Sequence, residues 1–309
     1  MKFVAQILFF ILMQIIIKTV AVNIKGRIKF TYNSANVLTK SSNKIKFWRN
    51  NTTNNKLLNA QREEKRISFN GYADILIFNC TQKNFFALTW DDGPWRKLTE
   101  GILDLLKLKN ATATFFIVAN RLLWEPYRQV AQRALKEGHQ IASHSWNHEN
   151  LNQKVTQNRN CTELKHQVLD SDKLFRAKLG VSPKFFRPPY GKIKKEVAQT
   201  LKLWDYYIAL WNLNTFDYKW KELDKLYIVE AYNQELKNED PSYKKLDSYI
   251  SLQHDISRNV EATIERYSYI IDLIREKGYK LVTMGECVGK EDDMYFKKKI
   301  NYKKKKCIF

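Results

Sequence analysis

Five short polar clusters interrupt otherwise apolar stretches of this 309-residue chain, and their side chains are those of metal and acid–base chemistry. Asp91-Asp92-Gly93-Pro94 sets two carboxylates side by side; such a pair repels and loses solvation unless a cation neutralises one of them. His144 and His148, four residues apart, can converge on one ion, and His with Asp suits zinc. Two histidines and a carboxylate leave coordination sites open for water and substrate, as a catalytic ion requires. The other clusters hold Arg187 (in Arg187-Pro188-Pro189-Tyr190-Gly191), Asp217 with Tyr218, and His254-Asp255. Each also has a plainer reading. Asp91-Asp92 could be a strand-ending turn, Arg187 a surface ion-pair partner, Asp217 a helix N-cap, and Trp211 and Leu252 core residues. His139 reads as a strand-start residue and His166 as an exposed helix position, neither a ligand.

The elements that must position these groups follow from periodicity. Short apolar and β-branched runs at 85–90, 112–118, 140–143, 184–186, 206–211, 249–253 and 280–283 predict strands. Between them, amphipathic stretches at 127–137, 163–179, 194–203 and 262–277 predict helices; Gly138, Gly180 and Gly278 stand at or near the ends of three of them. Strands separated by helices pair in parallel through crossovers. About seven of them, with no phosphate-binding glycine loop, predict an α/β fold: a distorted (β/α) barrel of parallel strands. The polar clusters all follow the C-terminal ends of strands, where a parallel barrel places its active site.

Taken together, Thr89-Trp90-Asp91-Asp92-Gly93-Pro94, His144-x3-His148, Arg187-Pro188-Pro189-Tyr190-Gly191, Asn214-x2-Asp217-Tyr218 and Leu252-Gln253-His254-Asp255 resemble the five ordered motifs of NodB-homology polysaccharide deacetylases, the metal-dependent esterases of carbohydrate esterase family four. The resemblance spans about 75–289, and the flanking cysteines look most like those of fungal chitin deacetylases. It implies a metal (Zn²⁺, or another divalent ion such as Co²⁺) on Asp92, His144 and His148, with Asp91 as general base oriented by Arg187. It further implies His254 as the acid tuned by Asp217, the Tyr190 N–H as oxyanion donor, and Leu252, Tyr218 and Trp211 around an acetyl pocket. A Cys80–Cys287 disulfide is implied in the same way. Trp90, Tyr218, Asn212 and Asn214 depart from the usual family residues, which bears on substrate fit more than on chemistry.

A charge of +21 would by itself suggest nucleic acid or an anionic surface. Lys2 followed by an apolar run at 3–17 and small residues near Ala21 instead predicts a secretory signal over 1–21, with an uncleaved anchor as the alternative. Outside the cytosol the charge meets wall polymers or anionic lipids, so no nucleic-acid partner is expected. An oxidising compartment favours pairing of Cys80, Cys161, Cys287 and Cys307, for which composition alone allows three connectivities. Asn50, Asn51, Asn79, Asn110 and Asn160 begin glycosylation triplets. Residues 22–74 read as a poorly ordered Asn/Lys-rich extension, 75–290 as the catalytic domain, and 291–309 as a Lys-rich tail. Such a block of charge is expected to be solvated and mobile, or to contact an anionic wall or membrane surface. The expected protein is a secreted, wall-associated monomer that deacetylates chitin or chitooligosaccharides. Peptidoglycan and acetylxylan are the alternative substrates, and a non-catalytic wall-binding relative is the reading of a different class.

Overall fold

The computed structural model describes residues 71–153, 161–219, 226–237, 245–255, 260–298 and 300–308. All lie within the second of two compact units, Glu64–Phe309. The predicted leader, most of the extension, and Asn50, Asn51 and Asn160 fall outside the described residues. Among those described, no helix is long and apolar enough to cross a membrane.

Among the described residues ten strands form: β1 (Leu76–Ile77), β2 (Phe85–Ala87), β3 (Thr89–Asp91), β4 (Thr114–Ile117), β5 (Gln140–Ser143), β6 (Phe185–Phe186), β7 (Tyr207–Ala209), β8 (Leu213–Asn214), β9 (Tyr249–His254) and β10 (Lys280–Val282). The helices are α1 (Arg96–Leu108), α2 (Glu125–Lys136), α3 (Cys161–Lys165), α4 (Ser171–Leu179), α5 (Lys195–Leu203), α6 (Leu226–Leu236), α7 (Val260–Glu276) and α8 (Met284–Cys287). A π-helical turn, His166–Asp170, joins α3 to α4. The sheet order is β1-β7-β6-β5-β4-β3-β9-β2-β10, with β8 on β9, and every ladder between these strands is parallel. The expected parallel α/β architecture is therefore present; among the described residues no ladder joins β1 to β10.

The count rises from seven to ten for local reasons. The run at 85–90 is divided at Leu88 into β2 and β3, yet both keep one register on β9, pairing Ala87 with Ile250 and Trp90 with Gln253. Alternation persists across the break: Phe86, Leu88 and Trp90 enter the core under the helices, while Ala87 lies in the second core. Period-two alternation is what a strand between two apolar layers requires. β1 and β8 are two-residue strands, too short to show a period. Between β7 and β8 the backbone bridges neighbours: Leu210 N–H donates to the Ile77 carbonyl (2.7 Å) and Asn212 N–H to that of Ile250 (3.1 Å).

Helices cover the outer face. α1 buries Leu98, Ile102, Leu103, Leu105 and Leu106, a 3–4-residue spacing that faces one side. Trp90 links sheet to helix, stacked on Phe115 (5.5 Å) and edge-on to Tyr267 of α7 (5.2 Å). α4 stops at Gly180, whose φ of 74° is the left-handed cap that glycine adopts without Cβ strain. α8 begins with a capping box between Thr283 and Glu286.

Two disulfides tie the ends of the domain, Cys80–Cys287 and Cys161–Cys307. The second resolves a pairing that composition left open. It also accompanies a correction: the described residues 291–298 and 300–308 fold back on the domain and are not a solvated tail. Ile300 is buried, Tyr302 Oη donates to Asp172 (2.6 Å), and Trp204 Nε1 donates to the Lys306 carbonyl (2.8 Å). Interspersed Met294, Phe296, Ile300 and Tyr302 supply apolar contacts that the lysine count conceals.

Candidate active site

The C-terminal ends of β3, β5, β6, β8 and β9 bring the polar clusters together. β3 ends on Asp91, whose carboxylate points inward and is almost wholly buried. Arg187, directly after β6, is fully buried and donates from Nη1 to Asp91 Oδ1 at 2.6 Å. The same Nη1 donates to Thr89 Oγ1 (2.7 Å), Nη2 to the Leu210 carbonyl (3.1 Å), and Nε to that of Ala209 (3.3 Å). The guanidinium lies 3.9 Å from the centre of the Phe116 ring. Its hydrogen bonds and planar stacking leave it one orientation, which in turn holds Asp91. The surface-pair reading of Arg187 does not survive this burial.

Asp92, one residue on, faces the histidines. Its Oδ1 lies 3.4 Å from His144 Nε2 and 3.2 Å from His148 Nε2, and the three ligand atoms fall within 4.8 Å of one another. His144 Nδ1 is 2.7 Å from the Arg187 carbonyl; the N–H belongs on that nitrogen, leaving the Nε2 lone pair toward Asp92. Ser145 Oγ accepts the His148 N–H (3.0 Å), shaping the loop that returns the second imidazole. Burial pushes the His148 imidazole down to about 4, with the neighbouring His144 adding to the effect, so it is a neutral donor at neutral pH. Burial works against the charged form of Asp92, but the close approach of His144 and the surrounding imidazoles, His148 and His254, hold its carboxyl well below the usual range. Its Oδ1 is buried without a conventional hydrogen-bond partner. Two imidazole nitrogens and an ionised, under-satisfied carboxylate oxygen fit a divalent cation.

His254 ends β9. Its Nδ1 is 2.7 Å from Asp217 Oδ1, and its backbone N–H donates to Asp217 Oδ2 at 2.6 Å. Burial alone would depress the imidazole, but Asp217's hydrogen bond and charge, with Asp91 and Asp92, raise it to about 9. Asp217 lies in the 3₁₀ turn Asp217–Lys219, clamped on His254 from two sides. Tyr190 and Tyr218 are exposed, their rings against His148 (4.6 Å) and His254 (5.4 Å). Trp211 and Leu252 belong to the inner core. The Trp211 ring closes on Gly191, where a Cβ would stand 2.5 Å from it. His139 directly precedes β5, buried, and His166 pairs with Asp170 (3.1 Å); neither joins the Asp92 group.

Three further contributors were given no role by the sequence, although Thr89 and Asp255 stand within its motifs. Thr89 carries part of Arg187, and Ser145 orders the histidine loop. Asp255 is fully enclosed and accepts from Thr99 Oγ1 (2.5 Å); burial, then the charge of Asp92, pushes its carboxyl up to about 7. Gly93 exists for this contact, since a Cβ there would stand 2.0 Å from Asp255 Oδ2. Backbone strain concentrates here too: Asp92 (φ 75°), Ser145 (67°), His148 (63°), Tyr190 (60°) and Phe216 (54°) are all left-handed, at strand ends carrying the site.

A buried carboxylate–guanidinium pair, three groups placed to hold a divalent cation and an imidazole raised by its carboxylate partner share one face. The polysaccharide deacetylase family model matches residues 78–209. The chain is 30% identical to the chitin deacetylase of Colletotrichum lindemuthianum over 227 residues, covering 72% of this chain and 86% of that one. The solved structure of that enzyme superposes with a TM-score of 0.63 over 72% of this chain and 95% of its own. A peptidoglycan-N-acetylglucosamine deacetylase of Bacillus cereus is 31% identical over 222 residues, covering 72% and 95%. The homologous enzyme PgdA of Listeria monocytogenes is 33% identical over 205 residues, which is 66% of this chain but spans only 39% of that protein. The chain belongs to the polysaccharide deacetylase family, with fungal chitin deacetylase and bacterial peptidoglycan deacetylases both among its neighbours.

Proposed function

We propose that this protein is secreted and hydrolyses N-acetyl groups from chitin or chitooligosaccharides, releasing acetate and leaving free amines. The observation that carries the reading is the pairing on one face of a clamped carboxylate, Asp91, with a raised imidazole, His254. Base and acid of that kind suit hydrolysis of an amide, whose amine leaves only when protonated. Relatives named for chitin and for peptidoglycan N-acetylglucosamine share the acetylated sugar, which supports N-acetylglucosamine as the unit attacked.

Asp92, His144 and His148 would hold a divalent ion, zinc first among candidates, which when bound polarises the acetyl carbonyl and acidifies water. Asp91 takes the proton from the attacking water, kept in place by Arg187. The Tyr190 N–H donates to the oxygen that becomes negative as water adds; losing one such donor typically costs about 10²–10³ in rate. His254, held through Nδ1 by Asp217, presents Nε2 to the leaving nitrogen and gives up its proton there. Leu252 and Tyr218 flank the acetyl methyl, with Trp211 behind.

The test is acetate release from chitooligosaccharides, peptidoglycan and acetylxylan, with zinc and with chelator. Chelator-sensitive release, fastest from chitooligosaccharides, is expected; faster release from peptidoglycan moves the substrate, and none from any polymer ends the enzymatic reading. Asp91→Asn should abolish turnover yet retain metal, whereas His144→Ala should lose it; equal metal loss in both would reverse the role assignment.

A further inference from the structure

Far from the catalytic groups, the folded-back C-terminal segment builds a second concavity. It is an open cavity of about 560 Å³, within the roughly 300–1,000 Å³ of small-ligand sites. Trp204, Phe296 and Ile300 supply apolar wall, and Lys298, Lys304, Lys305 and Lys306 supply charge. The one carboxylate among its lining residues, Asp205, is already paired with Lys184 Nζ at 2.8 Å. Trp204 and Asp205 lie just before β7, and Phe296 N–H donates to the Ser182 carbonyl just before β6. The cavity therefore opens at the N-terminal ends of the parallel strands, opposite the catalytic face.

The backbone that carries these lysines is anchored. Cys161–Cys307 fastens the segment, Trp204 Nε1 donates to the Lys306 carbonyl, and Lys305 Nζ donates to the Trp204 carbonyl (2.9 Å). Holding like charges together costs free energy that a solvated tail would avoid, and a bound anion offsets it. We propose that this cavity binds an anionic polysaccharide, one sugar unit in the concavity and its acidic groups on the lysines, tethering the enzyme with its catalytic face turned away. Concavity with an apolar wall favours a sugar chain over a membrane, which would meet a protruding or flat apolar surface.

Binding of intact, oxidised protein to polygalacturonate and to heparin would be measured by calorimetry across a salt series, alongside vesicles of phosphatidylglycerol and phosphatidylcholine. The variant Lys298→Glu/Lys304→Glu/Lys306→Glu leaves Lys305 and its hydrogen bond in place. It should weaken binding to at least one glycan tenfold or more, with an unchanged melting temperature and unchanged acetate release from neutral chitooligosaccharides. Which glycan responds identifies carboxylate or sulfate as the preferred group. Lys107→Glu/Lys136→Glu/Lys277→Glu makes the same charge change on two helices and just past the end of a third, elsewhere on the domain, and should leave most of the affinity. Equal weakening by both triple variants, retention of affinity by the first, or binding confined to anionic vesicles would each overturn the proposal.

Discussion

Replacing Asp217 with Asn removes the charge that supports His254 while keeping an oxygen near Nδ1. In the native site Asp217 Oδ1 lies 2.7 Å from that nitrogen, and the imidazole titrates near 9 despite burial. Against an ordinary value of about 6.5, this is a preference of about 3 kcal/mol for imidazolium. Asp217 contributes both the hydrogen bond and the leading charge, so its loss should lower the His254 pKa, leaving burial opposed only by Asp91 and Asp92. A fall of about two pH units would cut the protonated fraction about tenfold midway between the two values. The assay is kcat/KM for acetate release between about pH 5.5 and 9.5 at saturating metal, where the basic limb should move one to two pH units toward acid. Stability provides a second readout on metal-free protein. Because folding raises the His254 pKa, its contribution is complete below about 6.5 and is lost as pH rises through about 9. The wild-type advantage over the variant in urea should shrink accordingly. A uniform loss of rate at every pH, with the basic limb unmoved, would refute the tuning role and leave Asp217 as scaffolding.

Arg187→Met strands the buried Asp91 carboxylate and should cost about 3–5 kcal/mol in denaturant melts together with most activity; an unchanged midpoint would contradict the clamp. Gly93→Ala drives a methyl group into the Asp255 carboxylate, so metal affinity should drop as Asp92 is displaced, while a conservative change at exposed Gly138 should leave it alone; equilibrium dialysis with zinc decides. Removing Cys80–Cys287 by double Ser substitution releases a crosslink spanning 207 positions and should cost about 2–5 kcal/mol, with kcat retained below the melting range.

Much of the site was readable without coordinates because parallel strands place their C-terminal ends together, so residues distant in sequence share a face once strand order is inferred. Asp91, Asp92, His144, His148, Arg187, Asp217 and His254 could be named from type and position alone. Their partners could not. The Arg187 carbonyl that orients His144 is a backbone group present in every residue, and Thr89, Ser145 and Thr99 are too common to signal anything by identity. Asp255 illustrates the limit: its place beside His254 was visible, but its enclosure against Gly93 arises only when β9 meets β3.

The same division governs the whole chain. Residue chemistry and apolar period established the parallel α/β layout and the polar strand ends, because both are local properties of side-chain type. Tertiary packing decided the strand order, the division at Leu88, the Cys161–Cys307 pairing and the docking of the lysine-rich end. Those outcomes depend on contacts between segments more than a hundred residues apart, where aromatic burial and two crosslinks outweigh the solvation of lysine.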